Sequence, residues 1–293
     1  MRLLARLFAG LGILLLLAAR PAFAEPHAPA VWKIHDADST VYLLGTIHLL
    51  KADTPWLSED LRGIAERAVT LTLELHPDEA TSPKMQQLVM QLGFYPPSDG
   101  LSQHVPDPLY QRLAAEFQEL GIPVQAMERM KPWMVGIQIG VVSAMRAGFL
   151  PQYGVDHTLG QLAAASGKTI RGLETAEYQL SLFADLSDEA QIAFLEEGME
   201  QVDDLAGYFA KLKDAWLSAD LDDLDALLRE GMDKSPELAE ALLFTRNANW
   251  IPEIEALLDE PGEHLVAVGA AHLTGTKSVI DLLAQKGYAP ERF

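Results

Sequence analysis

Two stretches, LLGTIHLL near the start and VAVGAAHLTG near the end, each pass from an apolar run through a glycine to a histidine three residues on: Gly45 to His48, and Gly269 to His272. Neutral imidazole is a suitable ligand for zinc, manganese, cobalt or iron, and a catalytic site keeps one position open for water. Two carboxylates stand at comparable places, Glu74 in LTLEL and Glu174 in IRGLE. An ion held by such groups would draw the pKa of bound water from about 15.7 toward roughly 7, supplying hydroxide for hydrolysis. Glycine has its own reason to be there: it lets the backbone turn sharply off a strand end, at positive φ if required, so the histidine can fold back over the rim. His48, His272, Glu74 and Glu174 are therefore candidate metal ligands, with Glu74 also a candidate general base.

Each of these residues has a plainer reading. A histidine at a strand end is more often a hydrogen-bonded loop residue, and His35, His76, His104 and His264 are assigned that way. GVDH also satisfies the spacing but follows PQY rather than an apolar strand, which ranks His157 below the other two. Asp156 reads as the cap of the helix that follows, and Glu174 and Glu177 would suit a helix N-terminus equally well. In FTRNANW, Arg246 and Asn247 either belong to an internal salt bridge or supply donors to a developing oxyanion, and both alternatives stay open. The chain has no H-E-x-x-H, no G-x-S-x-G, no P-loop and no cysteine, so the chemistry narrows to metal-assisted or carboxylate catalysis.

The elements that must position these groups follow from periodicity. Apolar runs over 31–34 and 41–44, joined by the polar HDADST, form a β-hairpin whose second strand delivers Gly45 and His48. Helical spacing over 58–68, with Ser58 as N-cap, leads into the alternating VTLTLELH, a strand ending at Glu74 and His76. Helices over 85–92, 108–120 and 132–147 are divided by the breakers YPPSDG and GIP. A helix over 156–165 stops at Gly167 before a strand over 169–173 that ends at Glu174. After an acidic helical stretch, a strand over 264–268 delivers Gly269 and His272 ahead of a last helix over 276–285. The fold class is α/β: a mixed, largely parallel central sheet with flanking helices and a helical insertion. In such sheets sites form outside the carboxyl ends of the strands, so four parallel neighbours would put two imidazoles and two carboxylates on one rim.

The first residues read as a signal peptide: Arg2 and Arg6, a charge-free apolar run over 7–19, and Ala22-Phe23-Ala24 as a small-x-small cleavage site. Cleavage after Ala24 leaves one domain over 25–293, with the helical insertion roughly 83–148 and the acidic helical region roughly 177–259. A periplasmic or secreted protein without cysteine holds no disulfide and no lipid anchor on an N-terminal cysteine. The apolar 134–149 segment is short and carries Gln138 and Arg146, so it reads as a buried helix, and no stable transmembrane anchor is expected after signal cleavage. A formal charge of −20 excludes nucleic acid as a partner, because phosphate neutralisation needs a basic patch. A peptide or small molecule is the expected substrate, and a homodimer stays open.

Several segments together resemble the TraB/GumN family, whose eukaryotic relatives include the Tiki metalloproteases. LLGTIHLL resembles its first Gly-x-x-His motif, LTLELHP its glutamate strand, GVDHTLGQLAAASGKTIRGLETAEYQL its central block, TRNANWIPEIEALL its Arg-Asn block and VAVGAAHLTG its second Gly-x-x-His motif. The resemblance covers nearly the whole chain after residue 24. It implies a divalent-metal-dependent protease using manganese, cobalt or zinc, in which His48, His272 and Glu74 are required and Arg246 and Asn247 support them. The family is also similar to erythromycin-esterase-like and ChaN-like proteins, which implies a shared α/β core. The alternative from another class is a periplasmic binding protein that sequesters a peptide signal, or heme or iron, without turnover.

Overall fold

The polar link HDADST makes its turn through Asp36, whose carboxylate accepts from the backbone N–H groups of Asp38 and Ser39 at 3.1 and 2.8 Å. Short Asx side chains favour such turns by bonding the backbone just ahead of them. The turn joins β1 (Val31–His35) to β2 (Ser39–Thr46) as an antiparallel hairpin. This computed structural model describes residues 28–201, 204–230, 232 and 235–293, and the signal peptide expected over 1–24 lies outside the described residues.

Helix α1 (Glu59–Arg67) starts where Ser58 accepts from the N–H of Leu61, the N-cap read from the sequence, and leads into β3 (Thr70–Leu75). Then come α2 (Pro77–Ala80), α3 (Pro83–Gly93), α4 (Asp107–Glu119), α5 (Val124–Glu128), α6 (Pro132–Arg146) and α7 (Val155–Ala165). Strand β4 (Thr169–Glu174) follows, then α8 (Ala176–Ala184), α9 (Asp188–Gln201), α10 (Leu205–Leu217), α11 (Leu221–Arg229), α12 (Pro236–Ala239) and α13 (Thr245–Leu258). The chain closes with β5 (Gly262–Gly269), α14 (Val279–Gln285) and a two-residue β6 (Glu291–Arg292).

The sheet order is β4-β3-β5-β2-β1-β6. Strands β4, β3, β5 and β2 run parallel to one another, and β1 is antiparallel to both β2 and β6. This is the mixed, largely parallel sheet expected. Alternate residues of each strand supply two separate cores, as a sheet covered on both faces requires. On one face Leu44, Leu73, Leu265 and Ala267 pack against Ile64 of α1, Leu159 of α7 and Trp216 of α10. On the other, Ile34, Leu43, Val266 and Val268 pack against Ile254 of α13 and Leu283 of α14. Burying such side chains is the main stabilising term, about 1.5–3 kcal/mol for each large one.

A third core lies among the helices, where Leu113 and Phe117 of α4, Ile139 of α6 and Leu195 of α9 meet. The acidic stretch is therefore not one body. Its α9 joins the helices of the 83–148 segment, whereas α10 and α13 return to opposite faces of the sheet. The apolar 134–149 segment falls within and just after α6, whose Trp133, Val135 and Ile139 are buried. Among the described residues no helix is long and apolar enough to cross a membrane.

Candidate functional site

Strands β2 and β5 stay in register to their last residues, with Thr46 opposite Gly269. On the far side of β5, β3 pairs Leu73 with Ala267, and beyond it β4 pairs Glu174 with Leu75. The four strand ends singled out by residue type thus lie side by side on one rim.

The two glycines of the Gly-x-x-His steps are there for close approach. Neither adopts positive φ. A Cβ on Gly45 would stand 3.0 Å from Ala270 Cα, so glycine is what lets the two strand-end turns touch. The Gly45 carbonyl also accepts from Trp216 Nε1 at 2.8 Å, which ties the first turn to α10. A Cβ on Gly269 would stand 3.1 Å from Glu74 Oε1, 3.5 Å from His272 Cδ2 and 3.9 Å from His48 Nε2. Three side chains from three strand ends therefore surround one small space.

Each histidine is oriented through its other nitrogen. His272 Nδ1 donates to Asn247 Oδ1 at 2.6 Å, and the amide is fixed in turn because its Nδ2 donates to the Lys277 carbonyl at 2.8 Å. That leaves His272 Nε2 as the lone-pair nitrogen, 3.7 Å from Glu74 Oε1, with the ring packed 4.4 Å from Trp250. His48 Nδ1 donates to Asp156 Oδ2 at 2.7 Å, while Thr46 Oγ1 donates to Asp156 Oδ1 at 3.0 Å. Anchoring Nδ1–H on an oxygen and presenting Nε2 is the arrangement seen around metal-binding histidines.

Asp156 is thus not the helix cap expected from the sequence. The N-cap of α7 is Gly154, without a side-chain bond, and Asp156 sits in the first turn facing His48. A Cβ on Gly154 would collide with the His48 carbonyl, and the N–H of Val155 donates to the Ile47 carbonyl at 3.1 Å. This close contact is what delivers Asp156 to the ring. The signal was present in GVDH but lay in its aspartate. His157 is exposed and accepts from Gln161 Nε2 at 3.0 Å. His264 lies within β5, buried between the Thr70 hydroxyl and the Glu260 carbonyl, each at 2.8 Å.

Arg246 is the clamp of the rim. A π-helical turn over Glu240–Phe244 precedes α13, and such turns often mark functional sites. The guanidinium has five N–H donors. Nε donates to Glu174 Oε1 at 2.9 Å; Nη1 donates to the Leu242 carbonyl at 3.1 Å and to His272 Nε2 at 3.2 Å; Nη2 donates to Glu74 Oε2 at 2.6 Å and Glu174 Oε2 at 2.8 Å. All five are spent internally, so of the two readings left open the geometry carries the salt bridge. Glu174 is held by Arg246 together with Trp250 Nε1 at 2.9 Å and Gln179 Nε2 at 3.1 Å. Its oxygens are occupied by positioning work, and Asn247 serves the same end through His272. Gln179, Trp250 and Thr46 were not foreseen, since a glutamine, a tryptophan and a threonine carry no chemical signature by themselves.

The charge states follow from these contacts. Asp156 raises the His48 pKa to about 9 against the opposing effect of burial, with the ring still 63% exposed on its open side. Burial pushes His272 down to about 3, against Glu74, so its ring is neutral at pH 7. Burial alone would raise Glu74, but Arg246 and His48, joined by His272 once that ring is protonated in acid, outweigh it and lower the carboxylate to about 2. With His272 neutral, Arg246 is the buried cation that keeps Glu74 ionised.

Among the described residues no group of three or more His, Cys, Asp or Glu side chains is arranged to hold a metal ion. The donor set nevertheless fits one in kind and direction. Two ligands about 2.1 Å from one zinc are roughly 3.4 Å apart at a tetrahedral angle, and His272 Nε2 and Glu74 Oε1 are 3.7 Å apart. For His272 to coordinate, the Arg246 Nη1 hydrogen bond on its Nε2 must open.

A layered α/β protein whose sheet rim gathers two Gly-x-x-His histidines, a glutamate and an arginine clamp is the class defined here. The sequence profile of the TraB/PrgY/gumN family matches residues 30–292, and the chain belongs to that family. It is 26% identical over 242 residues to "Uncharacterized protein YbaP" of Escherichia coli (strain K12), covering 83% of this chain and 87% of the relative. The protein of the same name from Shigella flexneri matches equally, at 26% over 242 residues. No solved structure matches the chain.

Proposed function

We propose that this protein is an exported, metal-dependent hydrolase acting on peptides in the periplasm or outside the cell. The observation that supports this reading is the convergence of His48 Nε2, His272 and Glu74 Oε1 around Gly269, with both Nδ1 atoms anchored on oxygen. His48, His272 and Glu74 would hold a divalent ion such as manganese, cobalt or zinc, which when bound polarises a carbonyl and supplies hydroxide from water. Asp156 and Asn247 set the tautomers of the two rings. Glu74, held near 2, is a poor proton acceptor at neutral pH, so its part is that of an anionic ligand rather than a general base. Arg246 holds Glu74 in place and balances its charge when the ring of His272 is neutral, and Glu174 anchors Arg246 in turn.

The test is peptide hydrolysis after chelation, followed by separate addition of manganese, cobalt and zinc. Activity should vanish on chelation and return with at least one ion, and His48→Ala and His272→Ala should abolish both ion binding and turnover. Cleavage that survives chelation refutes the reading. Intact peptide recovered from a tight complex would assign a sequestering role to the same residues.

A further inference from the structure

His48 and Glu74 also line a cavity of about 730 Å³ that runs away from the rim between α7 and the end of β3. Cavities of about 300–1,000 Å³ accommodate small ligands. Its polar end holds His48, Glu74, Asp156 and Gln179; beyond them, carbon from Leu75, Pro77, Ala80, Gly160, Ala164 and Ile170 is interspersed with polar side chains that include His157, Gln161 and Lys168. Ala80 and Ala164 are exposed, and Leu75, Pro77 and Ile170 are only half-buried. Gly160 and Ala164, one helical turn apart on α7, keep that wall low, since neither has a side chain beyond Cβ to fill the trough.

The charged groups beside it are directed elsewhere. Lys168 Nζ donates to the carbonyls of Glu66 and Ala68 at 2.6 and 2.5 Å. The Asp78 side chain is 94% exposed at the mouth. An anionic substrate side chain lying in the trough would lose water without gaining Lys168, whose ammonium is already spent on backbone carbonyls, whereas an apolar one would cover carbon left open to solvent.

Resting on the hydrolase reading above, we infer that this trough is a specificity subsite for a large apolar side chain of a peptide, next to the bond that lies over His48. Continuity decides the occupant, because one cavity holds both the polar rim and the apolar trough, so a peptide placed over His48 must send a neighbouring side chain along it. Ala164→Trp fills the trough from an exposed helix position, where substitution costs little stability. Gly160→Leu fills it from the wall; its Cβ would meet Pro77 Cγ at 3.5 Å, ordinary contact, so the backbone has no need to move.

The experiment titrates N-acetyl-leucyl-leucine amide and N-acetyl-glycyl-glycine amide into the protein by NMR chemical-shift perturbation, with and without added manganese. The leucyl peptide should bind at least about tenfold tighter, in line with the discrimination of hydrophobic pockets. Ala164→Trp and Gly160→Leu should each erase the difference while leaving bound manganese, measured by elemental analysis, unchanged. Equal affinity for both peptides in the unsubstituted protein, or a preference that survives both variants, overturns the subsite. A leucyl preference lost in the variants, in a protein that hydrolyses nothing with any ion, upholds the subsite and removes the hydrolase reading instead.

Discussion

Replacing Asp156 by Asn tests the orientation of the first histidine. The carboxylate holds His48 Nδ1–H at 2.7 Å and lifts the ring's pKa to about 9, against about 6.5 for a free imidazole. Two and a half units separate these states, so at pH 7 roughly one ring in a hundred is neutral in the native protein and about three in four in Asp156→Asn. Water on the 63% exposed side screens the pair, so the native midpoint falls at or below 9 and not above it. NMR titration of the His48 ring in chelator-treated protein should show a midpoint well above that of Asp156→Asn, which should lie near 6.5. Because a coordinating imidazole must shed its proton, ion affinity of the native protein should climb about tenfold per pH unit from 6.5 upward and level off near the ring's midpoint. The folded protein holds this proton more tightly than the unfolded chain, so the pair's stabilisation is full below pH 6.5 and fades as pH rises through 9. Identical midpoints in the two proteins would refute the reasoning.

Arg246→Met should cost about 3–5 kcal/mol at pH 8, the usual penalty for leaving a buried charge without its partner, and thermal unfolding would measure it. Glu74 is depressed to about 2, so its native stabilisation is present above pH 4.5 and lost as pH falls through 2. In Arg246→Met that dependence should reverse, with the variant least deficient at acid pH, where Glu74 protonates. The two histidines should separate at pH 10, where the His48–Asp156 pair has lost its proton: there His48→Ala should change stability by less than about 0.5 kcal/mol, its side chain being largely exposed, while His272→Ala, buried against Trp250 with its Asn247 bond lost, should cost about 1–3 kcal/mol. Equal losses in urea unfolding would contradict this. Asn247→Ala should weaken ion binding about 10–100-fold through misorientation of the ring, as read by competition with a chromophoric chelator.

The sheet was legible because its strands carry simple signals. Alternating or continuous apolar runs, ending at glycine in β2 and β5 and at glutamate in β3 and β4, located these strands to within a few residues. Their adjacency was inferred from shared chemistry at their ends, and the strand order confirms the neighbours. What resisted reading was everything set by side-chain partnership across the sequence. Asp156 at the start of a helix looks the same whether it caps that helix or bonds a ring from β2, and only the packing of Gly154 on His48 decides. The acidic stretch read as one region because composition shows which residues are polar but not where a helix docks, and α9 and α13 pack on different cores.

Strand β5 (Gly262–Gly269) is inserted between β2 and β3, which lie some 190 or more residues before it in sequence. Until it arrives, β2 and β3 have no common neighbour, and the space around Gly269 does not exist. Pairing so distant in sequence is slow to form. A chain truncated before residue 262 would carry His48 and Glu74 with nothing to bring them together.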